Sequence, residues 1–193
     1  MKTLTEQNYK EAAALLKTDV ATVKAVREVE SSGSGFLSSG EVKILFEGHI
    51  FWSELKKRGI DPNKYISGNE NILYPKWDKS KYKGGQAEHS RLQQAVKINR
   101  EAALKSASYG LFQIMGFNYK LAGFPDLQGF INAMLESEGE QLKAFVNFVI
   151  NSGLADELRR KDWQSFAKVY NGPGYKANKY DEKLAKAYKK FSN

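Results

Sequence analysis

Glu30 has the strongest claim to chemistry in this chain, because of where it falls in the pattern around it. Val20, Val23, Val26 and Val29 recur every third residue and predict the apolar stripe of an amphipathic helix. Thr18 and Asp19 supply a start signal for that helix, and Gly33 and Gly35 supply a stop. Glu30 therefore closes the last turn, where the macrodipole is negative and an ionised carboxylate is disfavoured. Apolar surroundings act in the same direction, favouring the neutral form. The expected result is a carboxyl that keeps its proton to unusually high pH, which is what a general acid needs. The plain alternative is a solvated glutamate at a helix end, and the rest of the chain decides between the two.

Other routes to catalysis are closed or thin. The chain has no cysteine, which excludes disulfides, thiolate metal sites and cysteine nucleophiles. His49 and His89 are too far apart for an HExxH-type pair, and no metal or cofactor is expected. "GSG" at Gly33 to Gly35 reads as a flexible turn, not as the GxSxG elbow of a serine hydrolase. Carboxylates are the remaining tools. The net charge is +8, and Asp156 to Asn193 carries ten Lys/Arg against five Asp/Glu. Such a surface favours a polyanionic partner, whether nucleic acid, anionic lipid or an acidic cell envelope, although scattered lysine also serves solubility.

The elements that must position these residues read as mostly helical. Residues 5–17 predict a first helix with Tyr9, Ala12, Ala13 and Leu16 on one face. After the glycine loop, "EVKILFEG" predicts a short strand through Val42, Ile44, Leu45 and Phe46. "HIFWSELKKRG" predicts a helix stopped at Gly59 and sealed by Asp61-Pro62. Residues 60–86 lack periodicity but hold Tyr65, Tyr74, Trp77 and Tyr82, a long aromatic loop suited to walling a cleft or to pinning itself on the core. Helical patterns return over 86–106, 126–138, 140–151 and 162–169, and a last basic amphipathic helix over 178–191. The expected architecture is mainly α, with one small β element inserted early.

The chain suits a single domain, 1–193. It shows neither a signal-peptide run nor an apolar stretch of the ~20 residues a membrane span requires, so it is expected in the cytoplasm first. The first two helices have the cadence of a helix-turn-helix. However, their turn lacks the usual glycine, and the second helix carries valines where base-reading polar residues belong. No nucleic-acid partner is therefore expected.

Three short blocks stand in a telling order: "ES" at Glu30-Ser31, "SYGLFQIM" from Ser108 to Met115, and "VYNGPGY" from Val169 to Tyr175. Each is weak alone. Together they resemble the lysozyme superfamily, in particular goose-type lysozymes and lytic transglycosylases, whose blocks are Glu-Ser, Gly-Leu-Met-Gln and Tyr-Asn. With "VESSGSGF" and "ILFEGHIFW" added, nearly the whole chain resembles the muramidase-type endolysins of tailed bacteriophages. The resemblance implies a lysozyme-like α+β fold, with its β element after the catalytic helix. It further implies cleavage of the β-1,4 bond between N-acetylmuramic acid and N-acetylglucosamine by a free-standing monomeric catalytic domain without a wall-binding module. The implied partner is the peptidoglycan glycan strand, reached from the host cytoplasm through a holin. The basic helix over 178–193 adds an anionic outer membrane as a second candidate partner, if its apolar side is not used in packing.

The same resemblance assigns roles. Glu30 matches the general acid. Gln113 matches the residue that faces the sugar beside it, and Ser108 and Tyr109 match the loop shaping the cleft. Tyr170 and Asn171 match the Tyr-Asn pair, whose phenol lies by the acid and orients it among neutral groups, not cations. Glycosidases generally use a second carboxyl, and relatives often place one nine positions after the acid. Ser39 stands there instead, as a water-holding or substrate-binding residue, with Glu41 two residues later. Glu47, at the end of the predicted strand, is the preferred partner, although it could equally pair with a lysine or cap the next helix. Hydrolysis and the transglycosylase route to an anhydro sugar both stay open, and the endolysin resemblance favours hydrolysis.

Overall fold

The computed structural model describes residues 3–31, 33–171 and 173–193. The Glu30 helix forms as its signals predict. Helix α1 (Glu6–Leu16) opens on a reciprocal capping box between Thr5 and Asn8 and closes at Lys17, which is left-handed at φ 55°. Asp19 then caps α2 (Val20–Glu30) by accepting from the Thr22 amide. Thr22, Val23, Ala25 and Val26 are its buried face, with Val20 and Val29 packed at the edge of the core. The backbone turns extended at Ser31, whose hydroxyl bonds back to the Arg27 carbonyl. Six residues after Glu30, a bridge between Phe36 and Val42 begins the β part.

The sheet is assembled from two distant pieces of sequence. Strand β1 (Ile44–Phe46) pairs antiparallel with β2 (Ala107–Tyr109), setting Ile44 opposite Tyr109 and Phe46 opposite Ala107. β2 pairs in turn with β3 (Ile114–Met115), so the second sequence block is itself a hairpin. The β element is therefore not wholly inserted early, because its middle strand comes from residues 107–109. Around it pack α3 (Gly48–Lys57), α4 (Gln86–Ile98) and α5 (Arg100–Lys105). The single helix expected over 86–106 breaks at Asn99, whose side chain caps α5 through the Ala102 amide. The loop before α4 is more than a surface feature. Ile72, Leu73 and Tyr74 are buried, while Trp77 stands 62% exposed.

The helical half contains α6 (Leu127–Glu136), α7 (Glu138–Asn151), α8 (Ala155–Arg160), α9 (Trp163–Tyr170) and α10 (Tyr180–Phe191). Helix α8 is too short for its periodicity to register in the sequence. Helix α10 lies against α2 and α9, burying Leu184 and Ala187. Tyr188 donates to Asp19 at 3.2 Å and packs on Trp163. This bears on two readings of the sequence. α2 is covered by α1 and α10 and cannot enter a DNA groove as a recognition helix. The apolar side of α10, which membrane anchoring would require, is part of the protein interior, leaving its lysines outward. Among the described residues no helix is long and apolar enough to cross a membrane. One continuous apolar core joins α1, the sheet and α10.

Candidate active site

Glu30 is half-buried at the C-terminal end of α2. Asn171, the residue closing α9, donates from Nδ2 to Glu30 Oε2 at 2.9 Å. Burial pushes the carboxyl up from 4.5 to about 7, while the Asn171 hydrogen bond and the Lys183 charge pull the other way. Desolvation wins, so near neutral pH a large share of the molecules carries the proton. Oε1 has no hydrogen-bond partner among the described residues. A proton on this buried Oε1 is thus committed to no described acceptor, and a substrate oxygen reaches it only by displacing what covers it. The surroundings are not purely neutral, since Lys183 of α10 acts on the acid across the α2–α10 contact.

Tyr170 supports this arrangement indirectly. Its ring is held by Phe145, Phe148 and Phe166, with centroids 5.6, 6.1 and 5.4 Å away. Burial raises its phenol pKa, with the Glu30 charge adding to the effect, so the hydroxyl stays protonated. The direct bond to Glu30 comes from Asn171, not from the phenol. Ser32 and Gly172, which flank these residues in the recognised blocks, lie outside the described residues.

Gln113 sits in the β2–β3 turn at φ 49°, a left-handed conformation that costs a non-glycine residue about 1–3 kcal/mol and tends to persist at functional sites. Its amide fixes that turn. Ser108 Oγ donates to Gln113 Oε1 at 2.9 Å, and Nε2 donates to the carbonyls of Gly110 at 2.8 Å and Lys43 at 3.3 Å. A recess of about 340 Å³ opens here, lined by Gln113, Ile114, Met115, Asn118, Val169 and Tyr170 among others. It brings the second and third sequence blocks together. Tyr109 does not take part. It is 3% exposed, its hydroxyl bonds the Leu104 carbonyl and its ring packs edge-on against Phe130. It belongs to the core behind the sheet and does not shape the cleft. Ser39 is exposed and donates to Glu41, which also accepts from Gln86. Those hydrogen bonds, led by Gln86, hold the Glu41 carboxyl below its ordinary pKa. No contact joins Ser39 or Glu41 to Glu30 among the described residues.

Glu47 follows β1 and precedes the first turn of α3, yet its side chain makes no capping bond. Its backbone N–H extends the ladder to the Ser106 carbonyl at 2.9 Å. The carboxylate instead accepts a short hydrogen bond from Tyr82, and His49 Nδ1 lies 3.4 Å from the same oxygen. Its hydrogen-bond partner is therefore Tyr82, not a lysine, and His49 Nδ1 is a close neighbour that makes no hydrogen bond. Burial and the Glu47 charge raise the Tyr82 pKa, so the phenol remains a donor. Neither Tyr82 nor His49 carried a sequence signal beyond its place in an aromatic loop or beside Glu47.

The supports of the site were also invisible in the sequence. Glu88 is fully buried and accepts from the Phe46, Lys83 and Gly84 amides and from Arg91 Nη1. Phe46 adjoins Glu47, and Lys83 adjoins Tyr82, so one carboxylate fixes the backbone at both ends of the Glu47–Tyr82 contact. Arg91 adds bonds to the Phe46 and Asn71 carbonyls and to the Tyr74 hydroxyl. Gly48 must lack a side chain there, because a Cβ would stand 2.4 Å from the Tyr74 ring. On the other flank, buried Glu138 accepts from Ser34 Oγ, the Gly35 amide and the Leu4 amide, tying the loop after Glu30 to the start of α7. Gln141 receives the Leu111 amide at 2.7 Å, and a Cβ on Gly35 would sit 2.0 Å from its oxygen.

Helices packed about a small three-stranded antiparallel sheet give the molecule the lysozyme-like endolysin fold. The model of the muramidase (N-acetylmuramidase) family matches residues 19–192, and the chain belongs to that family. It is a peptidoglycan-cleaving enzyme of the muramidase type. The crystal structure of the Burkholderia AP3 phage endolysin is similar at a TM-score of 0.92 and 41% identity, over 99% of this chain and 72% of that one. Among curated proteins none matches.

Proposed function

We propose that this muramidase hydrolyses the β-1,4 bond between N-acetylmuramic acid and N-acetylglucosamine with Glu30 as general acid. The observation that carries the reading is the raised pKa of Glu30, about 7, together with an Oε1 that has no other described partner. The proton on Oε1 passes to the glycosidic oxygen as the bond to the anomeric carbon breaks, and positive charge develops on the sugar ring. Asn171 then stabilises the carboxylate left behind through the bond it already makes to Oε2. Glu47 serves as the second carboxylate, held ready by the Tyr82 hydrogen bond, and assists the water that completes hydrolysis. Gln113 and Tyr170 line the recess that receives the adjoining sugar. The product is a free reducing end, not an anhydro sugar. We place the action at the wall of the phage host, after holin-dependent release from the cytoplasm.

The test is digestion of purified peptidoglycan, followed by mass spectrometry of the fragments. Reducing-end muropeptides from wild type and none from Glu30→Gln are expected. Anhydro products would show a transglycosylase, and equal digestion by both proteins would remove Glu30 from the mechanism.

A further inference from the structure

Helix α10 presents its lysines beside the acid in an ordered way. Lys179, Lys183, Lys186 and Lys190 recur at helical spacing and form one stripe. Lys183, Lys186 and Lys190 border an open recess of about 680 Å³ whose opposite wall is the end of α2, Glu28 and Val29. Lys190 pairs with Glu28 at 2.6 Å, whereas Lys183 and Lys186 are exposed and have no ion pair among the described residues. Lys183 both lines the recess and acts on the Glu30 charge, so the recess and the acid share a side chain.

We propose that this recess binds the carboxylates of the acidic stem peptides that hang from the muramic acid residues of the strand being cut. The inference rests on the reading of the chain as a glycan-cleaving enzyme. A strand threaded past Glu30 carries peptides on the lactyl groups of its muramic acids, and their free carboxylates are the anions that reach this far from the sugar. Two unpaired ammonium groups in a concave surface match them. A lipid surface fits less well, because Leu184 and Ala187 are occupied against the protein and no apolar face remains to enter a membrane.

The experiment uses two soluble glycan ligands, one bearing its peptides and one stripped of them by an amidase. Each is titrated into Glu30→Gln protein and into Glu30→Gln/Lys183→Gln/Lys186→Gln protein. The Glu30→Gln background keeps the ligands intact and makes the measurement independent of turnover. The peptide-bearing ligand should bind the triple variant about tenfold more weakly, while the stripped ligand binds both proteins alike. The difference should vanish in about 0.5 M salt, and Lys183→Arg/Lys186→Arg in the Glu30→Gln background should bind both ligands as Glu30→Gln alone does. Equal weakening of both ligands, or of neither, overturns the proposal. So does loss of sedimentation with phosphatidylglycerol vesicles alone, which would make the partner a lipid surface. Cleavage of the stripped glycan by wild type is scored separately and reports on the glycosidase reading itself.

Discussion

Glu30→Gln should abolish lysis and, at the same time, make the protein more stable above neutral pH. In the folded chain burial keeps the Glu30 proton until about pH 7, against an ordinary value of 4.5. Between those values the folded state holds a proton that the unfolded chain has released, so stability falls as pH rises. The contribution is fully present below about 4.5 and lost once pH passes 7. At about 1.4 kcal/mol per pH unit, the interval amounts to about 3 kcal/mol, which we reduce to about 2–3 because the group is only half-buried. Glutamine is neutral throughout and still offers an oxygen to Asn171. Relative to wild type, the variant should therefore gain about 2–3 kcal/mol between pH 4 and pH 8.5 and little at pH 4. For a domain of this size the gain corresponds to about 4–12 °C in Tm. Urea unfolding of both proteins at pH 4, 5.5, 7 and 8.5 measures it. Stability curves that run parallel at every pH would refute the claim that burial strains this carboxylate, and with it the argument for a protonated acid at neutral pH.

The wild-type enzyme should lose kcat/KM as pH rises through about 7, where Glu30 gives up its proton. Asn171→Ala removes the hydrogen bond that favours the ionised form, so this falling limb should move up by about one pH unit. An unmoved limb in the pH–rate profile would show that Asn171 does not act on the acid. Tyr82→Phe leaves Glu47 without its short hydrogen bond and should lower kcat about tenfold with little change in KM or Tm. A rise in KM alone, measured on labelled peptidoglycan, would assign Tyr82 to binding. Glu88→Gln leaves buried Arg91 facing a neutral partner and should cost about 3–5 kcal/mol by urea unfolding, and a cost below about 1 kcal/mol would contradict its supporting role.

Much of the site was legible in the sequence because it rests on local order. The valine period and the Asp19 cap fix α2, and with it the position of Glu30, without reference to anything distant. Asn171 is legible by its place at the end of a patterned helix. The parts that were missed depend on long-range pairing. Nothing near Tyr109 distinguishes a residue of the middle strand from one in a cleft loop, because its burial is set by Phe130 and Leu104. The neighbours of Glu47 come from residue 82 and from the adjoining helix, brought in by a loop without periodicity. Glu88 and Glu138 carry no sequence signal of their role, since a bond to the Phe46 amide or to Gly35 exists only once the chain has folded back.

These buried acids also explain why Glu30 differs from them. Glu88 is the more deeply buried of the two, and burial raises its pKa as it does that of Glu30. Yet amides of Lys83, Phe46 and Gly84 and the Arg91 charge hold it below its ordinary value. Glu138 likewise accepts from Ser34, Gly35 and Leu4. Glu30 receives only the Asn171 amide and leaves Oε1 without a described donor. What separates a general acid from a structural carboxylate in this fold is the shortage of donors, since burial is common to all three. The end of a helix is a place where such a shortage arises without special construction, because the backbone groups exposed there are carbonyls, which cannot donate to a carboxylate. The amides that satisfy Glu88 and Glu138 come from loops, the chain start and the end of strand β1, where N–H groups are free to point at an anion.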